Sequence, residues 1–118
     1  MSKVMIVDDA QFMRVRLSKL LTRNGYEVVE AENGEQAVKV FKSASPDVVL
    51  MDITMPHKDG LEALSEIREF DSKAKVIMLT ALGQESMIVQ AVQAGAKDYV
   101  VKPFNPKRVM SALEKVLG

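Results

Sequence analysis

The chain has 118 residues, of which 47% are hydrophobic and 27% charged, and its 16 basic residues balance 16 acidic ones. These values are typical of one globular domain, which we expect to cover residues 1–118 without a further domain, and the neutral balance argues against nucleic-acid binding. The chain has no cysteine for a disulfide, and Asp8-Asp9 interrupts the first apolar run too early for a signal peptide or membrane span, which predicts a cytoplasmic protein without membrane contact.

Apolar runs of strand length alternate along the chain with longer stretches of helical periodicity. This alternation predicts five strand–helix units that form a parallel sheet. The strands are expected at residues 4–7, 26–31, 48–51, 76–79 and 99–101. The buried faces of the five helices are predicted, in chain order, to consist of Met13, Leu17, Leu20 and Leu21; Ala37, Val38 and Phe41; Leu61, Leu64 and Ile67; Met87, Ile88, Ala91 and Val92; and Val109, Ala112, Leu113 and Val116.

The second strand differs from the other four because acidic residues interrupt it. Glu27 and Glu30 place this strand at an edge of the sheet, whereas the other runs are apolar throughout, as strands covered by helices on both faces should be. Right-handed crossovers then favour the strand order 2-1-3-4-5. The predicted fold is therefore a doubly wound, flavodoxin-like α/β domain with five parallel strands and helices on both faces of the sheet.

Four of the apolar runs end directly at polar side chains. In a parallel sheet these ends share one edge, and open α/β proteins bind their ligands at that edge. The residues concerned are Asp8, Asp9, Asp52, Thr80 and Lys102. Any of them alone could be a helix cap, a turn residue or a solvated amine, but three clustered carboxylates repel one another, which raises their pKa values and lowers stability. The coincidence predicts a cation site.

The ligands available at this edge are oxygens, with no cysteine and no nearby histidine. Such a set favours a hard cation, and Mg²⁺ suits few carboxylates together with water and a phosphate oxygen. Lys102 would add a second positive group for a phosphoryl oxygen. Asp52 lies centrally among these groups, and an ionised carboxylate needs no general base to attack phosphorus, so Asp52 is the predicted phosphoryl acceptor. His57, the single histidine, is expected to be a solvated loop residue.

These residues resemble the receiver domains of two-component response regulators, and within that family the chemotaxis regulators. The resemblance covers essentially the whole chain, through the motifs Val7-Asp8-Asp9, Met51-Asp52-Ile53-Thr54-Met55-Pro56, Asp59-Gly60, Thr80-Ala81, Ala94-Gly95-Ala96 and Val101-Lys102-Pro103-Phe104. It implies that Asp52 receives a phosphoryl group from a histidine kinase. It also implies Mg²⁺ ligation by Asp9, Asp52 and the backbone carbonyl of Thr54, with Asp8 acting mainly through a water.

The resemblance further implies how the signal is read. Thr80 and Lys102 would contact the phosphoryl oxygens, small Ala81 would leave room for them, and the bond before Pro103 would be cis. Movement of the Thr80 hydroxyl would allow Tyr99 to turn inward and change the surface formed by the fourth helix, fifth strand and fifth helix. The expected partner of that surface is the flagellar motor switch. A phosphatase is a further partner, and the protein is expected to be a monomer.

Other signalling roles and other classes of protein are alternatives to this function. A phosphorelay intermediate that passes its phosphoryl group to a histidine phosphotransfer protein stays open. A small Mg²⁺-dependent phosphatase with an Asp nucleophile is disfavoured because Ile53-Thr54, rather than a second Asp, follows Asp52. A flavodoxin is disfavoured because Asp9 would repel phosphate. The expected role is thus a signalling phosphoacceptor that catalyses only its own phosphorylation and dephosphorylation, and is otherwise not an enzyme. The basic residues of the first helix, Arg14, Arg16, Lys19 and Arg23, are expected to form a solvated face.

Overall fold

A computed structural model describes residues 2–118 and contains five strands that alternate with five helices. The elements in chain order are β1 (Lys3–Val7), α1 (Gln11–Arg23), β2 (Glu27–Ala31), α2 (Gly34–Ala44), β3 (Val48–Asp52), α3 (Gly60–Phe70), β4 (Val76–Thr80), α4 (Glu85–Gln93), β5 (Asp98–Val101) and α5 (Pro106–Leu117). Among residues 2–118, no helix has the length and apolar character needed to cross a membrane.

The sheet has the predicted order, β2-β1-β3-β4-β5, and all four neighbouring pairs are parallel. The doubly wound α/β fold expected from the sequence is therefore confirmed. Strand β2 lies at an edge and exposes Glu27 and Glu30, because a strand covered on fewer sides can keep charged side chains in water. The winding reverses between β1 and β3, which is where a crevice opens at the carboxyl ends of the strands.

The core has two halves, one on each face of the sheet. On one face, alternate side chains of the central strands pack with helices α2, α3 and α4 around Met51, Leu64 and Ile67. On the other face, the intervening side chains pack with α1 and α5 around Leu50, Leu17 and Leu113. Because β1, β3 and β4 are buried on both faces, their sequences are apolar apart from one end residue each, rather than alternating.

Three of the helices begin at side-chain caps, and α4 departs in part from its predicted buried face. Asn33, Asp59 and Asn105 each accept a hydrogen bond from the backbone N–H three residues later, which satisfies an otherwise unpaired donor. In α4, Ala91 is buried as predicted, but Val92 is 53% exposed. The prediction for Val92 was wrong because the short α4 covers the sheet along a narrow stripe and leaves its outer face in solvent.

Candidate functional site

The carboxyl ends of four strands bring the predicted polar residues to one edge of the sheet. Asp8 and Asp9 directly follow β1, and Asp52 is the last residue of β3, the strand beside it. Thr80 is the last residue of β4, and Lys102 directly follows β5. Parallel pairing in register, with Val7 opposite Met51 and Asp52 opposite Leu79, keeps these ends level with one another. The site is therefore a direct result of the sheet topology.

Asp8, Asp9 and Asp52 form an acidic cluster. Each contributes a carboxylate oxygen, and these oxygens all lie within 4.8 Å of one another. Asp8 is buried and its Oδ1 accepts a hydrogen bond of 2.9 Å from the backbone N–H of Ala10. Asp9 is exposed to solvent. Within residues 2–118 this is the one group of three acidic, histidine or cysteine ligands placed to share a metal ion.

Lys102 extends into the acidic cluster from the far side of the site. Its Nζ lies 3.1 Å from Asp8 Oδ2 and 3.5 Å from Asp52 Oδ2. Both carboxylates are largely shielded from water, with Asp8 1% and Asp52 13% exposed, so solvent screens these attractions only weakly. The lysine thus offsets part of the negative charge, but one ammonium cannot neutralise three carboxylates.

The ionisation of Asp52 reflects this environment. Burial raises the pKa of Asp52 to about 6; the Lys102 ammonium opposes this rise, while the Asp8 carboxylate adds to it. The backbone N–H of Thr54 also hydrogen-bonds to the carboxylate and favours its charged form. At neutral pH Asp52 is mostly ionised, and Lys102 offsets only part of the negative charge around it. A bound cation, or a covalent bond to one carboxylate oxygen, would stabilise such a group.

Thr80 carries a buried hydroxyl without a hydrogen-bond partner. The residue is fully buried, and its Oγ1 is one of two such unpaired side-chain atoms in the described part of the chain. A buried polar group without a partner lowers the free energy of unfolding by roughly 1 to 3 kcal/mol, so the Thr80 hydroxyl would gain stability from a ligand that hydrogen-bonds it. A phosphoryl oxygen on Asp52, at the end of the adjacent strand, would supply that partner.

The acidic pocket is chemically compatible with Mg²⁺. Its donors are all oxygens, one carboxylate is exposed where water could complete the coordination, and no soft ligand is present in the cluster. Thr54 lies in the loop after β3, two residues beyond Asp52, and ligation by its carbonyl stays a prediction.

The remaining predicted site residues lie at or near the same edge. Ala81 follows Thr80 and is exposed, and the Lys102–Pro103 peptide bond is cis. Tyr99 is 39% exposed on β5, and its backbone carbonyl accepts a hydrogen bond of 2.7 Å from Arg108 Nη2 of α5. His57 is exposed in the loop before α3 and adopts a left-handed backbone conformation, as a turn residue can.

Two residues near the site make contacts that the sequence did not predict. Arg14 is not part of a solvated face: its side chain is 13% exposed, and its Nη1 donates a hydrogen bond of 2.6 Å to the Asp8 carbonyl. Its spacing of three residues from Leu17 and seven from Leu21, on the buried side of α1, was a usable signal. Gln84 hydrogen-bonds both Thr54 and Ala81, and nothing in its sequence context indicated this.

Comparisons with known proteins identify relatives of this chain. The sequence model of the family described as response regulator receiver domain matches residues 4–114. The chain is 55% identical to the chemotaxis protein CheY of Bacillus subtilis over 117 residues, 98% of each protein. It is 52% identical to CheY of Thermotoga maritima over 115 residues, 97% of this chain and 96% of that one.

Solved structures share the fold. A response regulator receiver domain protein from Clostridium thermocellum superposes with a TM-score of 0.95 at 28% identity, covering 99% of this chain and 94% of that one. CheY in the CheX-CheY-BeF3-Mg²⁺ complex of Borrelia burgdorferi superposes with a TM-score of 0.94 at 38% identity, covering 99% and 90% respectively. In that complex a CheY protein is found with CheX, beryllofluoride and Mg²⁺.

Proposed function

Because this chain belongs to the family of response regulator receiver domains, we propose that it is a cytoplasmic signalling protein that accepts a phosphoryl group on Asp52 from a histidine kinase. One observation carries the proposal. Asp52 is a poorly compensated member of the acidic cluster, its carboxylate lies 3.5 Å from the Lys102 ammonium, and the unpaired Thr80 hydroxyl belongs to the end of the adjacent strand. The ammonium and the hydroxyl suit the acceptor oxygens of a phosphoryl group, and the carboxylates suit the cation that would neutralise its charge.

The nucleophile of the transfer is the Asp52 carboxylate itself. An oxygen of Asp52 attacks the phosphorus of a phosphohistidine and the P–N bond breaks. The imidazole nitrogen that loses the phosphoryl group takes a proton from solvent and leaves as neutral histidine. With its pKa raised to about 6, Asp52 is mostly deprotonated at neutral pH and needs no base. Its partial exposure admits the donor. The chain would act as a phosphoacceptor that catalyses its own modification, and not as an enzyme with a separate substrate.

Asp8, Asp9, Asp52 and the Thr54 carbonyl are the groups that would hold Mg²⁺, with Asp8 acting mainly through a water. When bound, the ion neutralises the negative charge that would otherwise repel a phosphate donor. The different exposure of the two neighbouring carboxylates supports this role. Asp8 is buried and accepts a hydrogen bond from the Ala10 N–H, whereas Asp9 is exposed and leaves room for water. Asp8 and Asp52 both lie near Lys102, but only the Asp52 carboxylate is also partly exposed to solvent.

Lys102 and Thr80 would hold the transferred group. The lysine is already 3.5 Å from Asp52 Oδ2, so a phosphoryl oxygen bonded to that residue could replace a carboxylate oxygen as its partner. The Thr80 hydroxyl would gain the partner that it lacks. Its displacement toward the phosphoryl group is the step that would permit Tyr99 to turn inward and alter the surface of α4, β5 and α5.

We propose the flagellar motor switch as the target of that surface, with a phosphatase as a further partner and the monomer as the resting state. The support comes from the chemotaxis proteins among the relatives, at 55% and 52% identity over nearly their whole lengths. Apolar side chains without cover also mark the surface, since Val89, Val92 and Tyr99 are 55%, 53% and 39% exposed. Exposed apolar patches of this kind are typical of protein-binding surfaces.

Labelling with a small phosphate donor tests the proposed acceptor. Incubation with Mg²⁺ and phosphoramidate should add one acid-labile phosphoryl group to the wild-type protein, seen as a single mass increment. The Asp52→Ala variant should gain none, and omission of Mg²⁺ should slow the reaction strongly. Asp47→Ala is the matched control, because Asp47 immediately precedes β3 at the opposite edge of the sheet. Undiminished labelling of Asp52→Ala would refute Asp52 as the acceptor.

A further inference from the structure

The side chain of Gln84 joins the two loops that flank Asp52. Its Oε1 accepts a hydrogen bond of 2.6 Å from the backbone N–H of Ala81, in the loop after β4. Its Nε2 donates a hydrogen bond of 2.5 Å to Thr54 Oγ1, in the loop after β3. We call these two hydrogen bonds the Gln84 bridge. It links residues 30 positions apart in the sequence.

The orientation of the Gln84 amide follows from hydrogen-bonding chemistry. The Ala81 N–H can only donate, so the amide must present its oxygen there and its NH₂ group to the Thr54 hydroxyl. A flipped amide would place two donors against each other at Ala81. The single Ala81 N–H therefore donates its hydrogen bond to Gln84 and cannot donate a second one of good geometry to another acceptor.

A phosphoryl group on Asp52 could also accept a hydrogen bond from this donor. It would present three acceptor oxygens with several lone pairs, and the Lys102 ammonium, the unpaired Thr80 hydroxyl, the Thr54 N–H and the proposed Mg²⁺ could bind them without disrupting the bridge. The next donor along the same strand end is the Ala81 N–H, directly after Thr80, and Gln84 already occupies it. The bridge and a fully bonded phosphoryl group thus compete for one N–H.

Gln84 is also the residue at which α4 begins. It occupies the N-cap position, yet its side chain makes no capping hydrogen bond to the helix and reaches toward the site instead. Release of the bridge would free the residue that directly precedes the first turn of α4. Whatever breaks the bridge therefore acts directly on the start of the helix whose outer face is exposed.

We propose that Gln84 is a positioning residue that stabilises the unphosphorylated site by substituting for a phosphoryl oxygen at the Ala81 N–H, and that phosphorylation must break the Gln84 bridge and release the start of α4. The proposal rests on phosphorylation of Asp52. It makes Gln84 an internal competitor of the phosphoryl group, so removing its side chain should favour the modified state.

Labelling kinetics and beryllofluoride binding test the competition. Phosphoramidate transfers its phosphoryl group to Asp52 as the P–N bond breaks and ammonia leaves. For Gln84→Ala, we expect the labelling rate and the apparent affinity for beryllofluoride with Mg²⁺ to rise about fivefold, which is the worth of one net hydrogen bond. Gln90→Ala is the control, because Gln90 is exposed on α4 and its side chain makes no hydrogen bond within residues 2–118.

Spectroscopic measurements on the wild-type chain and on Gln84→Ala provide a test that does not depend on reaction rates. The side-chain NH₂ resonances of Gln84 should shift when beryllofluoride and Mg²⁺ are added, because Nε2 leaves Thr54. The Ala81 amide should exchange faster in Gln84→Ala than in wild type before addition, and equally slowly in both afterwards.

The possible results separate this inference from the proposed function. If the wild-type protein is not labelled at all, the assignment of Asp52 as acceptor fails. If the wild-type protein is labelled, but Gln84→Ala reacts at the same rate or more slowly and the Gln84 resonances do not move, the competition is refuted while the proposed function stands.

Discussion

At the residue scale, Asp52 combines two properties that oppose each other in an ordinary protein interior. It is ionised at neutral pH, and it is largely shielded from water with only Lys102 nearby to offset its charge and that of Asp8. Its raised pKa, about 6, means that the folded protein holds the proton more tightly than the unfolded chain does. Keeping the charged form therefore costs folding free energy, which is the expected signature of a site built to bind another group.

The pH dependence of stability tests this charge cost. At about pH 3.5 and below Asp52 is largely protonated in both folded and unfolded states, so it has little effect, whereas above pH 6 the charged form is penalised only in the folded state. In metal-free buffer, Asp52→Asn should raise the free energy of unfolding by about 1 to 2 kcal/mol at pH 7.5, less than the full shift implies because water reaches the site. Near pH 3.5 the gain should vanish.

Urea unfolding at the two pH values measures this difference. Asp47→Asn, at the opposite edge of the sheet, should show no pH-dependent gain of this kind. An equal gain for Asp52→Asn at both pH values would mean that the substitution acts through packing and not through charge.

At the element scale, the start of α3 is set by a close approach of two backbones. The Gly60 N–H donates a hydrogen bond of 2.7 Å to the Ile53 carbonyl, and the helix begins directly against the end of β3. A Cβ at Gly60 would overlap the backbone oxygen of Asp52 and lie 2.8 Å from the Ile53 Cα. Glycine is therefore required at this position by space, and the same contact fixes the backbone that carries Asp52.

The Gly60→Ala variant measures the importance of that approach. Because backbone atoms rather than a flexible side chain would have to move, we expect the free energy of unfolding to fall by about 2 to 3 kcal/mol. Phosphoramidate labelling should also slow, since Asp52 would shift. Ser65→Ala, on the exposed side of the same helix, should change neither quantity appreciably. Normal stability and labelling of Gly60→Ala would show that the contact is not restrictive.

At the scale of the whole molecule, the acidic cluster connects sites that are distant in sequence. Asp8 and Asp52 belong to neighbouring strands, and Lys102 reaches Asp8 across 94 residues of chain. These groups meet only in the folded state, so an ion that binds them stabilises the fold by mass action. The mutual repulsion of the carboxylates lowers the free energy of unfolding, and a bound ion removes that loss.

Addition of Mg²⁺ should therefore raise the melting temperature. At about 100 times its dissociation constant the ion adds about 2.7 kcal/mol, or about 10 °C for a chain of this size. Calorimetry with and without EDTA measures the shift, and Asp9→Ala should reduce it strongly while slightly raising the metal-free melting temperature, because one of the three repelling carboxylates is removed. A shift of equal size in Asp9→Ala would exclude the acidic cluster as the origin.

The sequence alone determined the fold and the members of the acidic cluster. Apolar runs and helical spacing are local properties, and once five parallel strands are ordered with β2 at the edge, the polar residues at their ends must share one side of the sheet. Asp8, Asp52, Thr80 and Lys102 were therefore predictable together. Helix caps such as Asn33 and Asn105 were predictable for the same reason, because a cap bonds within its own first turn.

Only the tertiary structure decided how side chains meet between elements. The Gln84 bridge depends on the distance between two loops that separate strands bring together, and the burial of Arg14 depends on how α1 lies against the loop after β1. The exposure of Val92 likewise depends on how much of the sheet α4 covers. Such contacts arise from the packing of whole elements, and no periodicity within a single segment encodes them.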